Sequence, residues 1–239
     1  MNTVLFDLDG TLLPMDQNEF LQHYFRELAT VCSGMGYDPE QMTKAVWEGM
    51  KAMIANDGNA SNEDRFWEAF ANVLGQQVME EKPQFIAFYD TEFNRISAVA
   101  RPDPAANDCV RMLKEKGYQV VLATNPMFPR NGTLARMRWA GLDPNDFALI
   151  TTYEDFTYCK PNLNYYRSVL QRIGRRPEDC MMVGNDVRED MCAAELGMDT
   201  YLLTVHLVNP DQVDINQFKH GSLEDLLSYV ERLPAVTAN

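Results

Sequence analysis

Four short stretches of this chain hold residue types that could do chemistry. The first is Asp7-Leu8-Asp9-Gly10-Thr11, directly after an apolar run. Two carboxylates two residues apart in extended chain lie about 6.6 Å apart along the backbone, so both can face one site. Gly10 permits a turn that a side chain would obstruct. The second is Thr124-Asn125-Pro126. A hydroxyl and a following backbone amide at a strand end can hold a phosphate oxygen, although both residue types are also routine in loops. The third, Lys160-Pro161, supplies one cation that could equally be a solvated surface charge. The fourth is Gly184-Asn185-Asp186-Val187-Arg188-Glu189-Asp190. Its acids at 186 and 190 either hold a cation or cap a helix and favour its dipole.

These residues need elements to position them. Apolar runs at 3–6, 119–123, 148–151, 180–183 and 200–205 have the length and Val/Ile/Leu/Phe/Met content of fully buried strands. Helical signals fall between most of them. Asp103-Pro104 supplies an N-cap and a first-turn proline, and Gly117 closes that helix. Segments 162–173 and 189–196 are helical candidates ended by Gly174 and Gly197. Alternation of this kind predicts an α/β fold with right-handed crossovers and a parallel sheet covered on both faces. Ligands of such sheets bind beyond the carboxyl ends of the strands, where three of the four stretches fall.

Residues 15–96 break the rhythm. Phe20, Tyr24, Leu28 and Val31 follow helical spacing, as do Met42, Val46, Met50 and Met53, then Phe66, Phe70 and Val73, then Phe85, Phe88/Tyr89 and Phe93. Asp16 with Glu19, and Asp38-Pro39 with Gln41, resemble capping boxes. Four amphipathic helices in some 80 residues predict a small bundle whose aromatic and methionine stripes form its own core. Two links, 12–15 and 97–102, would join it to the sheet and act as hinges. The expected division is therefore an α/β core of 1–14 and 97–239 with a helical insertion of 15–96.

Taken in order, Asp-x-Asp-Gly-Thr, strand-Thr, Lys-Pro and Gly-Asn-Asp-x-x-x-Asp resemble the four motifs of the haloacid dehalogenase superfamily. The resemblance runs from Thr3 to about Val205. The insertion matches the position and size of that family's C1-type helical cap, in the manner of the phosphoglycolate phosphatase-like members, on a Rossmann-like parallel core. The resemblance implies Asp7 as a nucleophile forming an aspartyl-phosphate. It implies Mg²⁺ held by the Asp7 side chain, the Asp9 carbonyl and the Asp186 side chain. Lys160 would bridge Asp7 and the phosphoryl group, Thr124 and the Asn125 amide would bind its oxygens, and Asp190 would orient Lys160 or a metal-bound water. Asp9 would be the acid and base, protonating the leaving alcohol and then deprotonating the attacking water. An ordinary aspartate costs about 4 kcal/mol to protonate at pH 7, so the site must raise its pKa, and crowding by Asp7 and the incoming phosphate is the expected cause.

An acid at position 9 favours phosphate monoester hydrolysis over dehalogenation. A phosphomutase keeps both acids and stays open, as does a non-catalytic binding or regulatory protein on the same fold, which the presence of Asp7, Lys160 and Asp186 disfavours. The expected substrate is a small phosphorylated metabolite such as a sugar phosphate, phosphoglycolate or nucleotide. Arg130 and Arg188 are either phosphate contacts or surface charges, and His23 is a packing or solvent-facing residue rather than a pocket residue. Gly34-Met35-Gly36 lacks the context of a dinucleotide site and reads as a helix-ending turn.

Composition narrows the classes further. The chain has 239 residues, 46% hydrophobic and 23% charged, with a net charge of −14. That length suits one main domain with an insertion. The charge repels nucleic acid and anionic lipid, so neither is an expected partner. No run approaches the roughly 20 apolar residues of a membrane span, and the first residues do not read as a secretory leader. Five cysteines without a C-x-x-C pair and three dispersed histidines predict reduced thiols in a cytoplasmic protein and no zinc site. G-x-x-x-x-G-K-[ST], G-x-S-x-G and H-E-x-x-H are all absent from the sequence. A monomer and a homodimer are both compatible with it.

Overall fold

The computed structural model describes residues 1–236. Strands β1 (Thr3–Phe6), β2 (Gln119–Leu122), β3 (Cys180–Gly184), β4 (Asp199–Leu203) and β5 (Lys219–Gly221) form one sheet in the order β2-β1-β3-β4-β5. Every pairing is parallel. The register sets Phe6 beside Leu122 and Val183, so β2, β1 and β3 end within a residue of one another. Side chains alternate across the sheet. Val4, Phe6, Val120, Leu122, Met181 and Val183 pack on one face, while Leu5, Val121, Cys180 and Met182 pack on the other. Both faces are dry, which is why these strands read as unbroken apolar runs.

Between β1 and β2 the chain forms α1 (Gln17–Gly34), α2 (Pro39–Ile54), α3 (Asn62–Leu74) and α4 (Val78–Ala87), then two 3₁₀ segments, Phe88–Asp90 and Glu92–Val99, before α5 (Pro104–Glu115). Asp16, Asp38 and Ser61 each accept a hydrogen bond from the backbone amide three residues on, satisfying a first-turn donor of α1, α2 and α3. The expected stripes are the core of this insertion: Phe20, Tyr24, Leu28, Met42, Val46, Phe70, Phe85, Phe88 and Phe93 are all buried. Burying each such side chain contributes about 1.5–3 kcal/mol. That core is continuous with the sheet face carrying Val4 and Phe6. Phe128, from the segment after β2, stands among Phe20, Tyr24 and Phe93 at ring separations of 5.7–6.2 Å.

The structure departs from the sequence expectations in several elements. Residues 148–151 make three backbone hydrogen bonds along β2 but only one isolated bridge, Leu122 to Ile150. The chain leaves the edge there because Thr151 turns its hydroxyl to the Thr124 carbonyl at 2.6 Å. The expected helix at 189–196 is a 3₁₀ segment, Met191–Leu196, because Asp186 and Asp190 already pin the preceding turn. Three elements were not anticipated: α6 (Arg130–Trp139), β5 and α8 (Leu223–Arg232). Helix α7 (Leu163–Ile173) begins after Asn162 and ends at Gly174, whose φ is +64°. No described helix is long and apolar enough to cross a membrane.

Candidate active site

The carboxyl end of β1 delivers Asp7, whose backbone amide donates to the Val183 carbonyl of β3 at 2.9 Å. The chain then turns tightly. Thr11 and Leu13 amides donate to the Leu8 carbonyl and the Gly10 amide to Leu13, so none of these bonds ends on the Asp9 carbonyl. Gly10 has φ +83°, and a Cβ there would collide with the Asn185 amide. Asn185 in turn accepts from the Thr11 hydroxyl at 3.0 Å and donates to the His206 carbonyl at 2.6 Å. The turn after β1 is thus locked to the turn after β3.

Lys160 sits in the segment before α7 with no side-chain exposure. Its Nζ lies 3.0 Å from Asp7 Oδ1 and 2.7 Å from Asp190 Oδ1. Burial alone would lower the lysine, but the charges of Asp190 and Asp7 overturn that and hold it well above the ordinary value. Burial pushes the Asp190 carboxyl up against the pull of Lys160. The second oxygen of Asp190 accepts from the Asp186 amide at 3.0 Å. Asp186 Oδ1 accepts from the Arg188 and Glu189 amides at 2.7 and 2.9 Å. Gly184 makes room for this packing, since a Cβ would occupy the space of the Asp190 carboxylate.

Asp9 has a partner that the sequence did not reveal. Arg136, on α6 and only 1% exposed, forms an ion pair through Nη1 with Asp9 Oδ2. Its guanidinium lies 4.1 Å from the centre of the Phe128 ring. Asp9 Oδ1 is buried without a hydrogen-bond partner. The Asp9 pKa is raised to about 6, with burial as the main cause, Arg136 opposing it and Asp7 adding a smaller push. Among the protein's own groups desolvation contributes more than Asp7, whose crowding acts in the expected direction. Arg136 escaped the sequence reading because α6 itself did, its apolar residues being interleaved with Arg130, Arg136 and Arg138.

The segment after β2 brings Thr124 and Asn125 to the same place. The Thr124 carbonyl accepts from Thr151 and from the Tyr165 hydroxyl at 2.9 Å. The Asn125 side chain accepts from the Lys160 amide at 3.2 Å and donates to Glu189 at 2.9 Å. Glu189 was also unforeseen as a site residue, and burial raises its pKa to about 8.

Asp7, Asp9, Thr124, Asn125, Asp186 and Asp190 line one cavity of about 200 Å³, roofed by Gln17, Phe20 and Leu21 of α1 and Met50 of α2. Lys160 touches two of those residues from beneath. The structure therefore brings together Asp7, Asp9, Thr124, Asn125, Lys160, Asp186 and Asp190, the candidate site residues of the four stretches. It does not bring Arg130 or Arg188, which pair with Asp155 and Asp211 on the surface. His23 is hydrogen-bonded to Arg26 on an exposed face. Among the described residues no three His, Cys, Asp or Glu side chains converge as a ready-made metal cluster. The expected donor set draws on only two side chains and one carbonyl, so it does not depend on such a cluster. Two carboxylates on one cavity, an uncommitted carbonyl and an orphaned carboxylate oxygen make an all-oxygen set that fits a hard divalent ion.

Comparison with known proteins gives the family and the fold. The family profile described as haloacid dehalogenase-like hydrolase matches residues 1–197. A glyceraldehyde 3-phosphate phosphatase of Methanothermobacter thermautotrophicus is 28% identical over 98% of this chain and all of its own length. A pyrophosphatase PpaX of Bacillus cereus is 23% identical over 84% of this chain and 82% of its own. The crystal structure of a HAD phosphatase from Thermococcus onnurineus shares the fold with a TM-score of 0.62, at 17% identity, covering 99% of this chain and 100% of that one.

Proposed function

This chain belongs to the haloacid dehalogenase-like hydrolases, and from that premise we propose that it is a Mg²⁺-dependent phosphatase hydrolysing a small phosphate monoester through a phosphoaspartate at Asp7. The observation that carries the reading is the buried Asp7–Lys160–Asp190 chain at the floor of a cavity that also holds Asp9, Thr124 and Asp186. In this reading residues 15–96 act as a cap over a core of 1–14 and 97–239. The protein works in the cytoplasm, a placement supported by its five unpaired cysteines.

Asp7 is the nucleophile, and Lys160 neutralises part of the repulsion between that carboxylate and an anionic phosphoryl group. Thr124 and the Asn125 backbone amide hold the transferring oxygens. Mg²⁺, held by the Asp7 and Asp186 carboxylates and the Asp9 carbonyl, supplies further charge neutralisation at the phosphoryl group when bound. Asp9, with its pKa near 6, donates its proton to the leaving alcohol and later takes one from the water that cleaves the acyl phosphate on Asp7. Asp190 keeps Lys160 charged and aimed. Met50 and the α1 residues above exclude bulk water, which strengthens each of these interactions.

The test is a phosphatase assay over a panel of phosphorylated metabolites with Mg²⁺ and with EDTA. Wild-type enzyme should release inorganic phosphate only with the metal, and Asp7→Asn should lose at least about 10⁴-fold in kcat/KM. Activity unchanged by Asp7→Asn would remove the nucleophile. Return of an isomeric phosphorylated product in place of phosphate would indicate a mutase.

A further inference from the structure

Within that phosphatase reading, on which this inference rests, the cavity's chemistry narrows the substrate. A phosphoryl group bound against Asp7 and Thr124 leaves its alcohol the remainder of the cavity, bounded by Gln17, Phe20, Leu21, Met50, Met127 and Phe128. Those six side chains carry no charge. The floor beneath them carries five carboxylates, Asp7, Asp9, Asp186, Glu189 and Asp190.

The cations near the floor are already engaged. Lys160 is bonded to Asp7 and Asp190, and Arg136 to Asp9. Arg130 and Arg188 point into surface pairs with Asp155 and Asp211, and His23 and Arg26 bond each other on an exposed face. A second anionic group on the substrate would find no free cation among the described residues lining the cavity and would leave water for apolar side chains without a compensating charge.

A neighbouring cavity of about 60 Å³ shares Leu21, Met50, Met127 and Phe128 with the first and continues among Trp67, Phe70 and Phe85. The wall behind the alcohol is therefore apolar and aromatic for a further layer. An uncharged carbon skeleton packs there and gains from leaving water, whereas a carboxylate or second phosphate does not.

We propose that the substrate is the phosphate monoester of a short, uncharged alcohol, and that the uncharged roof, with the nearby cations already engaged, excludes esters bearing a second anion. Phosphoglycolate, bisphosphates and pyrophosphate fall outside this class.

Matched substrates that differ by one carboxylate test it on the full-length enzyme with Mg²⁺. Glyceraldehyde 3-phosphate is compared with 3-phosphoglycerate, and glycolaldehyde phosphate with 2-phosphoglycolate, with p-nitrophenyl phosphate reporting the chemistry itself. The aldehyde of each pair should have a kcat/KM about 100-fold or more above its acid, the size of the cost of partly desolvating a carboxylate that gains no partner. Gln17→Arg, at an exposed roof position, should narrow that gap at least about tenfold by supplying the missing cation. An acid turned over within threefold of its aldehyde overturns the proposal, and so does a gap unmoved by Gln17→Arg. Absence of turnover on every compound, p-nitrophenyl phosphate included, fails the phosphatase reading itself, and the substrate class falls with it. Good p-nitrophenyl phosphate turnover with no preference inside the pairs fails only the substrate class.

Discussion

The floor and the roof of the cavity are held together by opposite physics. The floor is a buried ionic lattice in which Lys160, Asp7, Asp190 and Asp186 determine one another's positions through bonds of 2.7–3.0 Å. The roof is an aromatic and aliphatic stack in which Phe20 meets Phe93 and Phe128, and Tyr24 meets Phe128, edge to face. Dispersion and burial tolerate small rearrangements, because many weak contacts share the energy. An ionic lattice does not, because each missing partner leaves a desolvated charge. The floor is thus suited to fixing reacting atoms and the roof to moving over them.

The contrast can be broken most severely at Lys160. Lys160→Met should abolish turnover, falling by at least about 10³-fold in kcat, and should lower stability by about 3–5 kcal/mol because two buried carboxylates lose their cation. Urea unfolding followed by circular dichroism measures the second effect. The double variant Lys160→Met/Asp190→Asn should recover part of the stability and none of the activity. Recovery of both would mean that the lysine serves packing alone.

Arg136 sharpens the comparison because it belongs to the floor by charge and to the roof by its contact with Phe128. Arg136→Met removes the side-chain partner that the Asp9 carboxyl has among the described residues. We expect kcat/KM to fall about 10–100-fold for an alkyl phosphate, whose alcohol needs a proton, and only a few-fold for p-nitrophenyl phosphate, whose phenolate does not. Arg136→Lys should restore part of the alkyl activity. Equal losses on the two substrates would show a structural role and nothing more.

The floor was far more legible in the sequence than the roof. Asp7, Asp9, Asp186 and Asp190 follow strand ends, which can be read from short apolar runs, and Lys160 precedes a legible helix start. Chain order then supplied the motif. Arg136 and Glu189 were not legible, because their importance comes from burial against partners 127 and 64 residues away. The insertion's stripes at Phe20, Met42 and Phe70 predicted a core correctly. Yet Phe20 and Met50 also face the cavity, a second duty that spacing does not express. Elements with mixed composition escaped altogether: α6 carries Arg130, Arg136 and Arg138, and β5 is Lys-His-Gly.

Glu189 offers an effect on stability with a defined sign. Its carboxyl goes from an ordinary 4.5 to about 8 on folding, driven by burial. The folded state therefore favours the protonated form, and the resulting stability is fully present below about pH 4.5 and is lost as pH rises through 8. Glu189→Gln keeps an acceptor for Asn125 and removes the titration. In EDTA, the variant should gain on wild type by about 4 kcal/mol between pH 5 and pH 9. Denaturation midpoints that stay parallel across that range would show that Glu189 is ionised in the folded protein.

The smallest predicted effect lies where floor and roof are stitched together. Asn62, at the start of α3, is fully buried. Its amide nitrogen donates to the Pro126 carbonyl at 3.1 Å, one residue after Asn125, and its backbone amide donates to Phe156 at 2.8 Å. Asn56 donates to its oxygen at 2.9 Å. Together with the bond from the Glu63 amide to the Tyr153 carbonyl at 2.9 Å, these directional bonds bind the insertion to the core, and the one to Pro126 reaches the segment carrying Thr124. Asn62→Ala strands the Pro126 carbonyl and the Asn56 amide, at a cost of about 1–3 kcal/mol in stability. If the roof moves as a unit, loosening this bond should raise KM several-fold while leaving kcat within about twofold, because Asp7, Lys160 and Asp190 make no contact with Asn62. A fall in kcat with unchanged KM would mean instead that the α3 junction positions the floor, and the division between a fixed floor and a movable roof would fail at that point.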